Sequence, residues 1–396
     1  MTLLIWFAAT ALVVQLGSVA LALLWRQRNR ISSDHLATRP PVTLLRPICG
    51  EENNLERCLA SSFTLDWPTY EIIFCVAEQG DPAAATARRL IEAHPRVPAR
   101  LLVGEDRMSV NPKMNNLVKG WRSARHDWIV LADSNVLMPP DHFTRTLSRW
   151  DEETGLVCSP PVGTEPEGFG AMVESVWLNS FQARWQLLAD SVGFGFAQGK
   201  SMLFNRHLMS EMGGFERLGE EVAEDAAATL LVRNAGLNVR LVTLPFEQPL
   251  GRRDLSAVWK RQLRWARLRR ASFPLYFLPE IATGAALPAS AVIALSIAGA
   301  LPVLALPVYL AVWYGAEALL CRAYRWPIGR RALPAMLLRD LALPALFVAA
   351  WFGNGFVWRG NAMTVAEDRP PLPGRLRTAV RRTTDKARAF VTTRTS

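Results

Sequence analysis

WIVLADSN, residues 128–135, reads as a short β-strand that runs straight into a carboxylate. Its unbroken apolar character fits a strand covered on both faces, as inside a parallel sheet. Three similar runs precede it: VTLLRP (42–47), EIIFCVA (71–77) and RLLVG (100–104). Helical patterns fall between them at 54–62, 82–93 and 113–123. This alternation predicts right-handed βαβ units and an α/β domain built on a mostly parallel sheet.

In such sheets ligands bind beyond the carboxyl ends of the strands. There, EQGDP supplies Glu78 and Asp81, and DSN supplies Asp133 and Asn135. A carboxylate followed two residues later by a second oxygen suits Mg2+ or Mn2+, hard cations that complete their shell with water and a substrate diphosphate. The same tripeptide also suits a turn in which Asp, Ser and Asn bond their own backbone. Further on, VAEDAAATLLVRNAG (222–236) opens a helix with Glu224 and Asp225. The acidic pair either complements the helix N-terminus or supplies a general base, Asp225. NPKMNN (111–116) begins another helix, with Lys113, Asn115 and Asn116 available to a nucleotide.

The 396 residues are 50% hydrophobic and the mean hydropathy is +0.10, too apolar for an all-soluble chain. Apolar residues gather at 3–24, 281–320 and 341–357, against a requirement of roughly 20 residues per span. The first block has no Lys or Arg before it and RQRNR after it. That order predicts a retained anchor whose C-terminal side is cytoplasmic; a cleaved signal peptide is the alternative. The second block is about two spans long with Gly and Pro near its middle, which predicts a helical hairpin. Residues 341–357 look short for a crossing, and a third crossing would place the basic tail outside; either the segment lies in the interface or re-enters, or the tail departs from the positive-inside tendency.

The net charge is +10, and two runs carry it: 252–270 and 369–396 each hold eight basic residues and one acid. Both are juxtamembrane, where they would meet an anionic membrane surface or a phosphorylated substrate. No nucleic-acid-binding signature accompanies the charge, so nucleic acid is not expected as a partner. Five cysteines show no metal-ligand spacing and read as reduced packing residues, and five scattered histidines without an H-x-x-x-H pair argue against a zinc site.

Taken in order, PVTLLRPICGEENNLERCLASSFTLDWPTYEIIFCVAEQGDP, NPKMNNLVKG, LADSN, AED, RQLRW and VWRGN resemble the ceramide glucosyltransferases, a membrane-bound branch of the inverting glycosyltransferases. The resemblance runs from about residue 41 to 361. It implies a nucleotide-diphosphosugar transferase (GT-A-like) domain facing the cytosol, plus transmembrane helices, and transfer of a hexose from a UDP-sugar to a lipid hydroxyl. By the resemblance, Glu78, where the family usually has Asp, contacts the nucleotide with Asp81. Asp133 holds the metal, with Asn135 beside it, and Asp225 is the base, with Glu224 adjacent. RQLRW places Arg261 and Arg264 beside the diphosphate, where two guanidiniums three residues apart share a helix face. Trp265 offers an apolar wall; an interfacial amphipathic helix is the other reading. Lys200, in AQGKSMLF, falls on the acceptor side.

The expected organisation is an anchor at 1–30, a cytosolic glycosyltransferase domain at 31–275, a transmembrane or interfacial region at 276–360 and a basic tail at 361–396, in a bacterial inner membrane. Ceramide is the acceptor that the resemblance favours. N-acetylglucosamine transfer from UDP-N-acetylglucosamine to a hopanoid polyol (bacteriohopanetetrol) is the alternative. A polymer synthase of the cellulose type and a non-catalytic sugar-nucleotide binder are the remaining ones.

Overall fold

The computed structural model describes residues 1–29, 38–358 and 361–365. From the N-terminus, α1 (Thr2–Arg28) precedes β1 (Val42–Pro47), α2 (Leu55–Ala60), β2 (Tyr70–Val76), α3 (Pro82–Ala93), β3 (Ala99–Val103), α4 (Pro112–Ser123), β4 (Trp128–Ala132) and α5 (His142–Leu147). Next come β5 (Thr154–Cys158), β6 (Val162–Glu167), α6 (Gly168–Val176), a π-helical stretch (Trp177–Ala183), α7 (Arg184–Ser191), β7 (Ser201–Asn205), α8 (Arg206–Glu211), α9 (Glu224–Asn234), β8 (Asn238–Leu241) and β9 (Glu247–Arg252). The C-terminal part comprises α10 (Leu255–Ser272), α11 (Pro274–Phe277), α12 (Ala286–Ile297), α13 (Ala305–Tyr324), α14 (Ala332–Trp351) and the hairpin of β10 (Gly355–Trp358) and β11 (Asn361–Thr364). Two compact units result. The described parts of 30–161 and 192–248 form a sheet unit, and those of 1–29, 162–191 and 249–367 form a helical unit.

The sheet unit is built on seven strands in the order β3-β2-β1-β4-β7-β5-β8. The first four are parallel, as the alternation predicts. The chain moves outward from β1 through β2 to β3 and then returns to the other side of β1 as β4. The carboxyl ends of β1 and β4 therefore flank the switch point where such sheets bind ligands. β7 pairs antiparallel to β4, with Ala132 opposite Ser201, so the start of β7 lies beside the end of β4. β1 and β2 are buried along nearly their whole length, and their alternate side chains Val42, Leu44, Ile72, Phe74 and Val76 enter one apolar core with Leu59, Phe63, Val130, Phe143 and Leu203. α3 and α4 start alike. Asp81 accepts from the amide of the second residue of its helix and Asn111 from those of the second and third, and each is followed by proline, the residue whose fixed φ and missing N–H suit a first helical position.

In the helical unit, three described helices are long and apolar enough to cross a membrane: Thr2–Arg28, Pro274–Ile297 and Ala332–Trp351. The block at 281–320 is two helices, α12 and α13, separated by a turn in which Gly299 adopts φ +71°. The third block lies mostly within α14, which begins at Ala332 and is 20 residues long, long and apolar enough to cross a membrane. The apolar run looked truncated because Arg339 and Asp340 interrupt it, but both are buried. Arg339 donates to both oxygens of Glu317 at 2.9 Å, to Asp340 at 2.8 Å and to Ser180 at 2.9 Å. Asp340 also accepts from Tyr314 and the Ala285 amide at 3.0 Å each. Gln15 donates to Glu317 at 3.2 Å and accepts from the buried Arg184. Two cations and two anions thus compensate one another, the condition under which charge is tolerated in an apolar interior.

Residues 162–191 and 249–275, grouped with the 31–275 domain in the sequence reading, pack with the helices. Arg359 and Gly360 of VWRGN, and the basic tail from 366 onward, lie outside the described residues.

Candidate active site

The site is assembled at the carboxyl end of β4. Asp133 follows that strand directly, and its amide donates to the Lys200 carbonyl at 3.0 Å, continuing the β4–β7 ladder by one rung. This pairing sets Lys200 beside Asp133: its Nζ lies 3.0 Å from Asp133 Oδ2 and 3.2 Å from Asn135 Oδ1. A second ammonium arrives from the first turn of α4. Lys113 Nζ is 2.6 Å from Asp133 Oδ1, 2.6 Å from Glu224 Oε1 and 3.0 Å from the Gly199 carbonyl. Asn111, which caps α4, donates to Glu224 Oε2 at 3.1 Å and to the Val222 carbonyl. α4 and the start of α9 are thereby locked together.

Asp225 occupies the next position on α9. Its Oδ2 accepts from the Gly199 amide at 3.1 Å and its Oδ1 from the Ala226 amide at 2.8 Å. Burial raises its pKa, the neighbouring Glu224 raises it further, and Lys113 and the two amides pull it back, leaving it at about 6. Asp133 behaves oppositely. Burial alone would favour its protonation, but Lys113 and Lys200 outweigh this and hold it well below the usual carboxylate range. For Lys113, burial would remove the proton, and Asp133 and Glu224 more than restore it. Two carboxylates in one cluster are thus pushed in opposite directions, the pattern that separates a permanent anion from a proton acceptor.

The segment 194–199 lies along α9. Arg233 donates to the carbonyls of Phe194 and Gly195 at 3.0 and 3.1 Å, the Ala197 amide donates to Thr229 at 2.9 Å, and the Gly199 amide meets Asp225. Asp225, Thr229 and Arg233 are spaced by four, so they share one helix face. Gly199 is required by packing, because a Cβ there would meet Glu224 Oε1 at 2.6 Å and Lys113 Nζ at 3.3 Å.

Lys113, Asp133, Asn135, Lys200, Glu224 and Asp225 are thus brought into one hydrogen-bonded cluster. The remaining candidates are held differently. Asp81 accepts from the Gly50 amide at 2.8 and 3.0 Å and from Ala83 at 2.8 Å, tying the loop after β1 to α3. Glu78 is exposed past the end of β2. Asn115 spends its amide on Met108 and Ser109, and Asn116 donates to the Cys75 carbonyl at 2.7 Å and accepts from Lys119. The hydrogen-bonding groups of Asn115 are thus directed to the loop before α4, and those of Asn116 to β2 and to α4 itself. Arg261, Arg264 and Trp265 belong to the helical unit, on α10. There Arg261 pairs with the fully buried Glu174, which also lies 3.2 Å from Arg253. Trp265 packs on Ala171, Leu178 and Leu250.

Two contributors were not identified from sequence. Arg46, wholly buried, donates to the carbonyls of Asp133 and Val136 at 2.7 and 2.8 Å and to Cys58 and Ser62 on its other side. It sets the turn that carries Asp133 and Asn135. Gly199 joins the base candidate to Lys113. An arginine inside a strand's apolar run and a glycine before a lysine were the available signals.

Comparison with known proteins agrees with this architecture. The chain is 26% identical over 358 residues to ceramide glucosyltransferase 3 of Caenorhabditis elegans, covering 88% of this chain and 77% of that one. It is 29% identical over 259 residues to ceramide glucosyltransferase 1 of the same organism, and 29% over 262 residues to the ceramide glucosyltransferase of Komagataella phaffii. These matches span 55% and 50% of the relatives' lengths. Among solved structures, a mannosyltransferase of Pyrobaculum calidifontis in complex with GDP-Man and Mn2+ superposes with a TM-score of 0.52 at 19% identity, covering 85% of this chain and 99% of that one. The fold of the sheet-bearing chain is that of the GT-A glycosyltransferases, the expectation drawn from its motifs. The model of glycosyl transferase family 21 matches residues 3–370, and the chain is a sugar-transferring enzyme belonging to that family.

Proposed function

We propose that the chain is a membrane-bound inverting hexosyltransferase that moves glucose or galactose from a UDP-sugar to the primary hydroxyl of ceramide. The observation that carries this reading is Asp225, a half-buried carboxylate with a pKa of about 6, fixed by two backbone amides at the edge of a cluster of two lysines and two further carboxylates. A base of that strength is largely ionised at neutral pH yet remains a competent proton acceptor. The relatives named as ceramide glucosyltransferases supply the acceptor class, and three helices of spanning length supply the membrane in which such an acceptor dissolves.

The chemistry is a single displacement. Asp225 takes the proton of the lipid hydroxyl as its oxygen bonds to the anomeric carbon, and the bond from that carbon to the diphosphate breaks, so the configuration inverts. Lys113 keeps Glu224 and Asp133 fixed on either side of the reaction volume. Asp133 and Asn135 would hold a divalent cation. Their two oxygens already converge on one cationic atom, Lys200 Nζ, and a carboxylate and an amide oxygen suit Mg2+ or Mn2+. When bound, that ion neutralises charge on the leaving diphosphate. By the family resemblance Arg261 and Arg264, on α10 of the helical unit, would neutralise a diphosphate, and Arg261 is paired there with Glu174.

Membranes from a glycolipid-free host expressing the chain, incubated with UDP-glucose, UDP-galactose or UDP-N-acetylglucosamine and with ceramide or bacteriohopanetetrol, test the assignment by mass spectrometry. Hexosylceramide formation that Asp225→Asn abolishes is the expected result. An N-acetylglucosaminyl hopanoid with inert ceramide would replace the acceptor assignment, and undiminished product from Asp225→Asn would remove the base assignment.

A further inference from the structure

The position between Asp133 and Asn135 is filled by one of the protein's own cations. Of the two ammoniums on Asp133, Lys113 is anchored elsewhere as well, by Glu224 and the Gly199 carbonyl, with a side chain 8% exposed. Lys200 Nζ, among the described residues, bonds only Asp133 and Asn135. Its backbone is fixed in the ladder, since its carbonyl accepts from the Asp133 amide at 3.0 Å. A lysine stem has four rotatable carbons and its head is a compact cation, so the head can leave while the backbone stays. A divalent cation and an ammonium cannot share the same two oxygens without like-charge repulsion.

We propose that Lys200 is a built-in competitor for the divalent-cation position, holding Asp133 and Asn135 in place until a nucleotide diphosphate arrives and gives its displaced ammonium a new anionic partner. Metal and nucleotide capture are then coupled: the cation binds weakly alone and strongly with the diphosphate, because only the diphosphate compensates Lys200 once it is displaced. Linkage makes this reciprocal, so the metal tightens nucleotide binding by the same factor. The proposal rests on the reading of Asp133 and Asn135 as cation ligands.

The test is Mn2+ binding to the full chain purified in detergent, read from the paramagnetic resonance signal of free Mn2+, with and without UDP. Wild type, Lys200→Met and Lys200→Arg are compared, and UDP binding is measured separately by equilibrium dialysis. Removing a competing charge-assisted hydrogen bond should tighten Mn2+ binding without UDP by about tenfold or more in Lys200→Met. UDP should then strengthen Mn2+ binding less in that variant than in wild type, while Lys200→Arg stays weak. Unchanged or weaker Mn2+ binding by Lys200→Met, with Mn2+ still bound in the presence of UDP, overturns the competition alone. Equal shifts in the Met and Arg variants overturn it as well, since they indicate a packing effect. UDP binding with no Mn2+ bound by any of the three chains overturns both the competition and the metal assignment.

Discussion

Replacing Lys113 by methionine removes the cation that joins the two halves of the site. At 2.6 Å from both Asp133 and Glu224, each contact amounts to about 6 kcal/mol of attraction at an effective dielectric of about 20. Most of this offsets the desolvation of a side chain that is only 8% exposed. What the substitution exposes is the remainder: the buried Glu224 is left without its cation while Asp133 keeps Lys200, and a loss of about 3 kcal/mol, the low end for breaking a buried pair, is expected. The second effect is on the base. Lys113 holds the Asp225 pKa down against burial and Glu224, so its removal moves that pKa upward from about 6, by on the order of one unit. The base form exists above its pKa, so the rising limb of kcat/KM against pH should shift to higher pH, with activity at low pH lost first. The assay is that profile for hexosyl transfer in detergent micelles, together with apparent thermal stability. The double variant Lys113→Met, Glu224→Gln should recover part of both losses, because the uncompensated Glu224 charge goes with its partner. An unmoved limb and an unchanged unfolding temperature in Lys113→Met would refute the bridge.

Glu224→Gln alone should shift the same limb to lower pH, since the Glu224 charge helps to raise Asp225; a shift upward would contradict that origin. Gly199→Ala places a Cβ 2.6 Å from Glu224 Oε1, where Lys113 and Asn111 prevent the carboxylate from yielding. A loss of kcat on the order of tenfold or more is expected from so small a misplacement, and full activity would show that the cluster is loosely held. Arg339→Met strips Glu317 and Asp340 of their shared cation, with an expected destabilisation of about 3–5 kcal/mol, read as a fall in apparent Tm in detergent. Adding Glu317→Leu should recover part of it, and additive losses would argue against a coupled network.

The first four strands and the helices between them were legible because their signals are local. Apolar runs of strand length end in turn residues, and Asp81-Pro82 and Asn111-Pro112 mark helix starts whose capping bonds lie within three residues. Asp133, Asn135, Glu224 and Asp225 were identified because they follow strand ends or open a helix. The environment of each was not. The partner of Lys113 at Glu224 is 111 residues away, and no local pattern encodes such a distance.

Two further features show where local reading ends. An antiparallel β7 places Lys200 at the end of β4, and nothing in AQGKSMLF fixes the direction of its strand, which follows from the path of the intervening chain. The apolar block at 341–357 begins only after Arg339 and Asp340, which a hydropathy count treats as exposed. In the fold, Glu317, Tyr314 and Ser180 satisfy them, and the helix runs on through them from Ala332 to Trp351. The alternating elements, the apolar blocks and the positions of the carboxylates follow from local sequence, because periodicity and capping act over a few residues. Which charges are paired, which carboxylate stays ionised and which binds a proton near neutrality are settled by folding, because burial and Coulomb energy depend on neighbours brought from far along the chain.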